Sequence, residues 1–335
     1  MKFKKYVPYL IIALFATVAC KKKETPIPTN VPVDIYTVGY VVMPTTRTIN
    51  MIATYWKNGV PTELSDTTFA SDANAIAIGG KDVYIVGDRS DGNGNHAVMC
   101  WKNGNPTVLQ NGSGATAIAV NGADVYVAGA IGGVAGYWKN GVPIKLVTDS
   151  TSGSGANGIA LNGNDIYIAG NITGPHGTVA TYWKNGVATM LTDTSVSSSA
   201  NGIAVNGRDV YIIGRIGDSN FGTYWKNGVP KTIFSQYFSD AAAVAINGND
   251  VYIAGMVGIS GAEGVFWKND VVTELPLAVN TFGIAVNGTD VYVAGNIGFS
   301  YKTSLPTYWK NGVAVNLLTP QKSSGVLQGI ALAPK

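Results

Sequence analysis

Seven copies of one short phrase decide what this chain can become. Trp56, Trp101, Trp138, Trp183, Trp225, Trp267 and Trp309 are each followed by Lys-Asn, and six of the seven then by Gly, Asp270 being the exception. No other tryptophan occurs in the 335 residues. Six of the seven follow an aromatic residue, and Cys100 stands in its place before Trp101. Successive copies lie 45, 37, 45, 42, 42 and 42 residues apart. A period of this length marks a supersecondary unit that cannot bury its apolar faces alone and must stack on copies of itself.

One full unit runs from 200 to 233 and resolves into four strands. The first is of the Gly-Ile-Ala-Val type and turns through Asn-Gly into a second, Asp-Val-Tyr-Ile-Ile-Gly. The third carries Tyr-Trp and turns through Lys-Asn-Gly into the fourth. Short β-branched and aromatic runs between tight-turn residues predict all-β structure. The chain enters at Asp34 on a second strand and leaves on 328–332, a first strand with nothing after it. Six complete units lie between. Pairing of the last strand with the first three removes the open sheet edges, whereas a linear stack would need capping repeats. The prediction is a seven-bladed β-propeller of four-stranded blades over 34–335, closed by the C-terminal strand joining the N-terminal three.

The Trp-Lys-Asn-Gly phrase resembles the repeats of bacterial envelope lipoproteins with seven-bladed propellers. That resemblance covers nearly all of the chain after its first thirty residues and implies architecture rather than activity, because propellers host enzymes, lectins and scaffolds alike.

The N-terminus carries its own signals. Residues 1–19 combine a basic start (Lys2, Lys4, Lys5) with an apolar stretch too short to span a bilayer comfortably, the pattern of a signal peptide. It ends in Thr17-Val18-Ala19-Cys20, which resembles a lipobox, with Thr17 where leucine is usual. The resemblance implies cleavage and lipidation (palmitate included) at Cys20, residues 20–33 forming a lipidated tether. An uncleaved anchor and an ordinary secreted protein are the competing readings. Lys21, Lys22 and Lys23 suit anionic headgroups, and Lys21 does not match the aspartate that retains lipoproteins at an inner membrane. The expectation is a lipid-anchored protein of the cell envelope, at the outer membrane, on its surface or periplasmic side.

Charge excludes one class of partner. From Asp34 onward seventeen basic residues meet nineteen acidic ones, so the folded part has no basic footprint for nucleic acid. With Cys20 taken by lipid, Cys100 has no disulfide partner and reads as a small buried side chain. Residues 91–95 resemble the start of a calcium loop, but His96 and Lys102 stand where Gly and Glu are required. There is no zinc spacing and no nucleophile elbow; Gly153-Ser154-Gly155 reads as a flexible loop. No cofactor or catalytic residue is predicted.

Comparing the copies sorts scaffold from variable surface. Asp34, Asp82, Asp124, Asp165, Asp209, Asp250 and Asp290 each open a second strand and are expected to accept hydrogen bonds from turn amides. Gly39, Gly87, Gly129, Gly170, Gly214, Gly255 and Gly295 end those strands or admit a close backbone. The tryptophans belong between blades, and the small residues Ala75, Ala117, Gly158, Gly202, Ala243, Gly283 and Gly329 suit an innermost channel wall. The first-to-second and third-to-fourth connections are short and alike. The other two classes are long, differ between copies and emerge on the opposite face, where recognition is expected. Candidate ligand contacts there are Arg89, His96, Arg215, Phe221, Tyr237, Phe238, Phe282, Phe299 and Tyr301, residue types that supply much of interface binding energy. At the channel mouth the residue opening each first strand also differs: Asn74, Thr116, Asn157, Asn201, Ala242, Phe282 and Gln328. The leading function is an envelope binding module for a glycan, peptide or protein. A structural or assembly lipoprotein is the alternative. A polysaccharide-active enzyme, the third reading, requires a carboxylate pair at the mouth.

Overall fold

A computed structural model describes residues 30–335 except 45–48, 67, 91–95, 148–152, 175, 218–220, 234–237, 259–262, 299–302 and 321–322. The signal segment, Cys20, the tether up to residue 29 and the calcium-like stretch 91–95 therefore lie outside the described residues.

The described chain forms seven four-stranded antiparallel sheets arranged in a ring. Blade 1 contains β1 (Val33–Pro44), β2 (Ile49–Lys57) and β3 (Val60–Glu63). Blade 2 contains β4 (Ser71–Gly79), β5 (Asp82–Ser90), β6 (His96–Lys102) and β7 (Asn105–Val108). Blade 3 has β8 (Gly112–Asn121), β9 (Asp124–Ile131), β10 (Val134–Lys139) and β11 (Val142–Lys145). Blade 4 has β12 (Ser154–Asn162), β13 (Asp165–Gly174), β14 (Gly177–Lys184) and β15 (Val187–Met190). Blade 5 has β16 (Ser198–Asn206), β17 (Asp209–Ile216), β18 (Gly222–Lys226) and β19 (Val229–Thr232). Blade 6 has β20 (Phe238–Asn247), β21 (Asp250–Gly258), β22 (Glu263–Lys268) and β23 (Val271–Glu274). Blade 7 has β24 (Ala278–Asn287), β25 (Asp290–Ile297), β26 (Leu305–Lys310) and β27 (Val313–Asn316).

The last strand, β28 (Ser324–Pro334), pairs antiparallel with β1 from Val33↔Pro334 to Val42↔Ser324. It completes blade 1 as the sequence predicts, so that the innermost strands contact one another around the whole ring. The edges that face outward belong to four-residue strands, short enough to be poor templates for another chain, while the edges of the innermost strands face the channel.

Both short turn classes follow from their residues. Asn58, Asn103, Asn140, Asn185, Asn227, Asn269 and Asn311 sit at φ between 48° and 52°, and the next residue is also left-handed. That is the Asn-Gly preference of a two-residue hairpin loop, tolerated by Asp270 at φ 72° in the sixth copy. The aspartate ring differs from expectation in its donors. Each carboxylate accepts from the turn asparagine Nδ2 and pairs with the Lys of the phrase at 2.8–3.1 Å, rather than with backbone amides. It is the asparagine Oδ1 that receives the backbone N–H, from Ile35, Val83, Val125, Ile166, Val210, Val251 and Val291. Each lysine also lies 5.1–5.3 Å from a tyrosine ring centroid, a cation–π contact. In blade 4, Lys184 and Asn185 hold the Asp165 carboxyl below its ordinary value. One Asp–Lys–Asn–Tyr staple thus repeats seven times on the short-hairpin face.

The tryptophans form the core between blades, none more than 2% exposed. Four of them donate Nε1–H to a carbonyl at the end of the preceding blade's outer strand: Trp56 to Leu318, Trp101 to Leu64, Trp138 to Gln110 and Trp309 to Pro276, at 2.7–3.1 Å. Cys100 is half-buried among apolar neighbours, and burial pushes its thiol up to about 11.

Candidate functional site at the channel mouth

Every innermost strand carries a β-bulge at the same place. Pairing in blade 2 passes from Ala73↔Gly87 to Ala75↔Val86, leaving Asn74 without a partner. The skipped residue is Thr116 in blade 3, Asn157 in blade 4, Asn201 in blade 5, Ala242 in blade 6, Phe282 in blade 7 and Gln328 in blade 1. These are the seven divergent residues found at the mouth, and all line a central cavity of about 220 Å³. A bulge re-aims the side chain it frees.

The glycine ring is the other half of this device. A Cβ at Gly39, Gly87, Gly129, Gly170, Gly214, Gly255 or Gly295 would lie 1.9–2.1 Å from a backbone carbonyl oxygen of the bulged strand. No side chain fits there, so each glycine sits within its strand because the bulged neighbour folds over it. Of the two expectations for these glycines, close backbone approach holds and strand termination does not.

Four of the freed side chains tie the ring together. Asn74 Nδ2 donates to Ala115 O at 2.9 Å, Thr116 Oγ1 to Ala156 O at 2.6 Å, Asn157 Nδ2 to Ala200 O at 2.9 Å and Asn201 Nδ2 to Ala241 O at 3.2 Å. Each acceptor is the carbonyl just before the next blade's bulge. Ala242 and Phe282 have no group to make this bond, and Phe282 is 40% exposed. The mouth thus has a stapled arc over blades 2–5 and an arc over blades 6 and 7 where the staple is lacking.

Acidic groups lie beside the ring. Asp72 and Asp88 are directly opposite on β4 and β5, and Asp88 N–H donates to Asp72 Oδ1 at 3.1 Å. Asn74 Nδ2 donates to Asp88 Oδ2 at 3.1 Å, while Asp88 Oδ1 is buried with no hydrogen-bond partner. Burial, and then the Asp72 charge, push the Asp88 carboxyl up to about 6; Asn74 and His96 act against this. Burial also raises Asp72, and burial followed by the Asp72 charge raises Tyr40. In blade 6 burial raises Asp240, which Arg215 of the neighbouring blade partly offsets, and Asp240 Oδ1 is likewise buried without a partner. A carboxyl near 6 can hold or release a proton close to neutral pH. Among the described residues no group of three or more His, Cys, Asp and Glu is placed to hold a metal ion.

The sequence-selected contacts are only partly brought together. Arg89 in β5, His96 at the start of β6 and Arg215 in β17 lie on strands rather than on the loops expected, because the second and third strands extend further. Phe282 lies inside the first strand of its blade, β24, which begins at Ala278. Phe221 is half-buried beside β18. Phe238 opens β20, and Tyr237, Phe299 and Tyr301 lie outside the described residues. Not every connection on this face is long: blade 3 uses Gly132-Gly133, both left-handed. Ser154 belongs to β12 rather than to a flexible loop, and its Oγ accepts from Ala135 N at 2.9 Å. Ser71, Ser198 and Ser239 do the same for Ala53, Ala180 and Gly222, so part of the Ser-rich rim is inter-blade mortar.

Sequence reading missed Asp72 and Asp240, and used Asp88 only to mark a loop. Their signal is internal: both Asp72 and Asp240 stand two residues before a bulge, where other copies carry Gly, Ser, Asn or Val.

No protein-family model and no curated protein matches the chain. Among solved structures it is similar to TolB from Acinetobacter baumannii, at 13% identity and TM-score 0.55, covering 93% of this chain and 69% of that one. It is similar also to the β-propeller domain of the Trilobed protease from Pyrococcus furiosus, at 10% identity and TM-score 0.53, covering 88% of this chain and all of that one. That domain is described as having an open velcro topology, whereas β28 here pairs with β1. Apo AztD from Citrobacter koseri matches over 91% of this chain at 9% identity and TM-score 0.49. At such identities the likeness is one of fold: this chain is a seven-bladed β-propeller.

Proposed function

We propose that this protein is an envelope lipoprotein, anchored through Cys20, that recognises a glycan, peptide or protein on the face bearing the bulge ring. The observation that carries the reading is the contrast between the two faces. On one, seven copies of the same Asp–Lys–Asn–Tyr cluster satisfy one another. On the other, a geometry repeated seven times lines one cavity with side chains of five kinds, stapled from blade to blade over blades 2–5 but leaving Phe282 exposed, with buried carboxylate oxygens unpartnered nearby. Repetition of the backbone device with divergence of its side chain suits recognition of an unsymmetrical ligand. An assembly role would use the same face against another envelope protein.

The test is a glycan array and an envelope pull-down with wild type, with Phe282→Ser plus Arg215→Ala, and with Val187→Thr on the opposite face. Loss in the double variant alone supports the reading, and loss in Val187→Thr alone reverses the functional face. Cys20→Ser tests the anchor: it should abolish fatty-acid labelling and release the protein or leave its precursor. Asp72 and Asp88 give the enzyme reading its one specific support; turnover of a polysaccharide abolished by Asp88→Asn would replace binding by catalysis.

A further inference from the structure

The first described residues fix where an N-terminal tether leaves the ring. In blades 3–6 an asparagine at the end of the innermost strand donates Nδ2–H to the turn-glycine carbonyl of the next blade: Asn121 to Gly163, Asn162 to Gly207, Asn206 to Gly248 and Asn247 to Gly288, at 2.5–2.8 Å. Blade 1 has no such turn, because its first strand comes from the other end of the chain. There Asn287 Nδ2 donates to Val31 O at 2.7 Å instead. Thr289 N–H donates to Asn30 Oδ1 at 2.7 Å, and Lys335 N–H to Pro32 O at 3.0 Å. Asn30 and Val31 thus replace the missing turn, and the tether departs from the inner part of the short-hairpin face.

We propose that this face, and not the variable mouth, lies against a lipid surface; the inference rests on the reading that Cys20 carries the anchor. Ten residues separate Cys20 from Asn30, a reach of at most about 35 Å. Reaching the plane of the opposite face around the rim means crossing three strand spacings, about 14 Å, and then descending the full height of the blade, set by nine-residue strands such as β2, about 30 Å. The tether is too short for that path.

The face has the chemistry of a membrane-apposed surface. Val60, Val142, Val187, Val229, Val271 and Val313, each just after the third-to-fourth turn, are 62–70% exposed and ring its edge. The staple lysines stand beside them with their charges matched by aspartate, and Lys81 and Arg208 in the first-to-second turns add positive charge. Apolar groups interleaved with lysine stems suit the interfacial layer of a bilayer. The variable mouth then points away from the membrane to which the protein is held.

The test uses residues 20–335 with Cys100→Ser, coupled through Cys20 to a maleimide lipid in vesicles of phosphatidylcholine and phosphatidylglycerol. An environment-sensitive fluorescent amino acid is placed at 187, at 142 or at 282, and a lipid-borne quencher is added. We expect quenching at least threefold stronger at 187 than at 282; equal or stronger quenching at 282 overturns the orientation. Val187→Asp plus Val229→Asp plus Val271→Asp should weaken quenching at 142 at least threefold while the protein stays coupled. Unchanged quenching at 142 overturns the valine contact. Chemical coupling supplies the lipid whatever the cell does, so fatty-acid labelling of Cys20 in cells tests the anchor separately.

Discussion

Gly214→Ala isolates the coupling between glycine and bulge. Its added Cβ would lie 1.9 Å from Ser199 O, 2.9 Å from Ser199 C and 3.0 Å from Ala200 Cα. All three are backbone atoms, so no rotamer change relieves the overlap. The segment is also held from outside: Ala200 O accepts from Asn157 at 2.9 Å, and Ser198 Oγ accepts from Ala180 N at 2.8 Å. Overpacking usually costs about 1–3 kcal/mol, and with a rigid obstacle the upper limit, about 3 kcal/mol or more, applies here. Gly207→Ala is the control, with φ 59° but open space around it, and should cost about 1–2 kcal/mol from the left-handed backbone alone. Urea midpoints at constant slope give both numbers. Deleting Asn201, the unpaired residue, lets β16 run regularly and opens the space above position 214. The deletion and Gly214→Ala together should therefore cost less than the sum of their separate costs, a coupling of about 1 kcal/mol or more. Strict additivity, or a Gly214→Ala cost no greater than that of Gly207→Ala, refutes the reasoning.

Three further outcomes follow from the packing and charge. Trp183→Ala should cost about 3–5 kcal/mol by thermal or urea unfolding, towards the upper end because its buried neighbours include Ala128, Ala135 and Ala156, which cannot swing in to fill the space. Deleting 326–335 strips the pairing from β1 and should cause aggregation by light scattering; a monomer with unchanged melting temperature would sink the closure. Asp88, raised to about 6 in the fold, must be ionised at a cost as pH climbs from about 4 to 6, so its penalty is absent below that window and complete above it. After discounting for partial exposure, Asp88→Asn should add about 1–2 kcal/mol at pH 7 and nothing at pH 4. The staple aspartates run the other way, their lowered values favouring the fold above the ordinary carboxylate range and losing that support in acid.

Architecture was legible because every blade repeats the same solution to the same burial problem. The period, the turn residues and the split ends at Asp34 and Leu332 place each strand, and the register in which β28 meets β1 follows from them. The staple was half legible: Asp82 and Lys102 lie twenty residues apart, and only the pairing of β5 with β6 shows that they meet. The bulge was hidden for a different reason. An extra residue in a strand leaves composition and alternation almost unchanged, and its one trace is a glycine on the neighbouring strand, which reads equally well as a strand end. The acidic site depends on that bulge, since Asn74 reaches Asp88 only because it is turned out of the ladder. Lengths of the variable connections were misjudged where strands extended to absorb them, as at Arg89 and Arg215.

Phe282→Asn separates the two tasks that bulge residues perform. In blades 2–5 the polar bulge side chain is consumed by the next blade's carbonyl, so its chemistry there is fixed by ring closure rather than by a ligand. Blade 7 forgoes that bond and leaves the Phe282 ring 40% exposed at the mouth instead. An asparagine at 282 stands where its Nδ2 can donate to Leu327 O, the carbonyl preceding the bulge of blade 1. The variant should therefore be as stable as wild type or gain about 0.5–1.5 kcal/mol. If Phe282 is kept for recognition, the same change should weaken capture of the envelope ligand at least tenfold in the pull-down. Stability and binding then move in opposite directions, an outcome that a purely structural role for Phe282 does not produce. A variant that is less stable and binds equally well would return Phe282 to the scaffold.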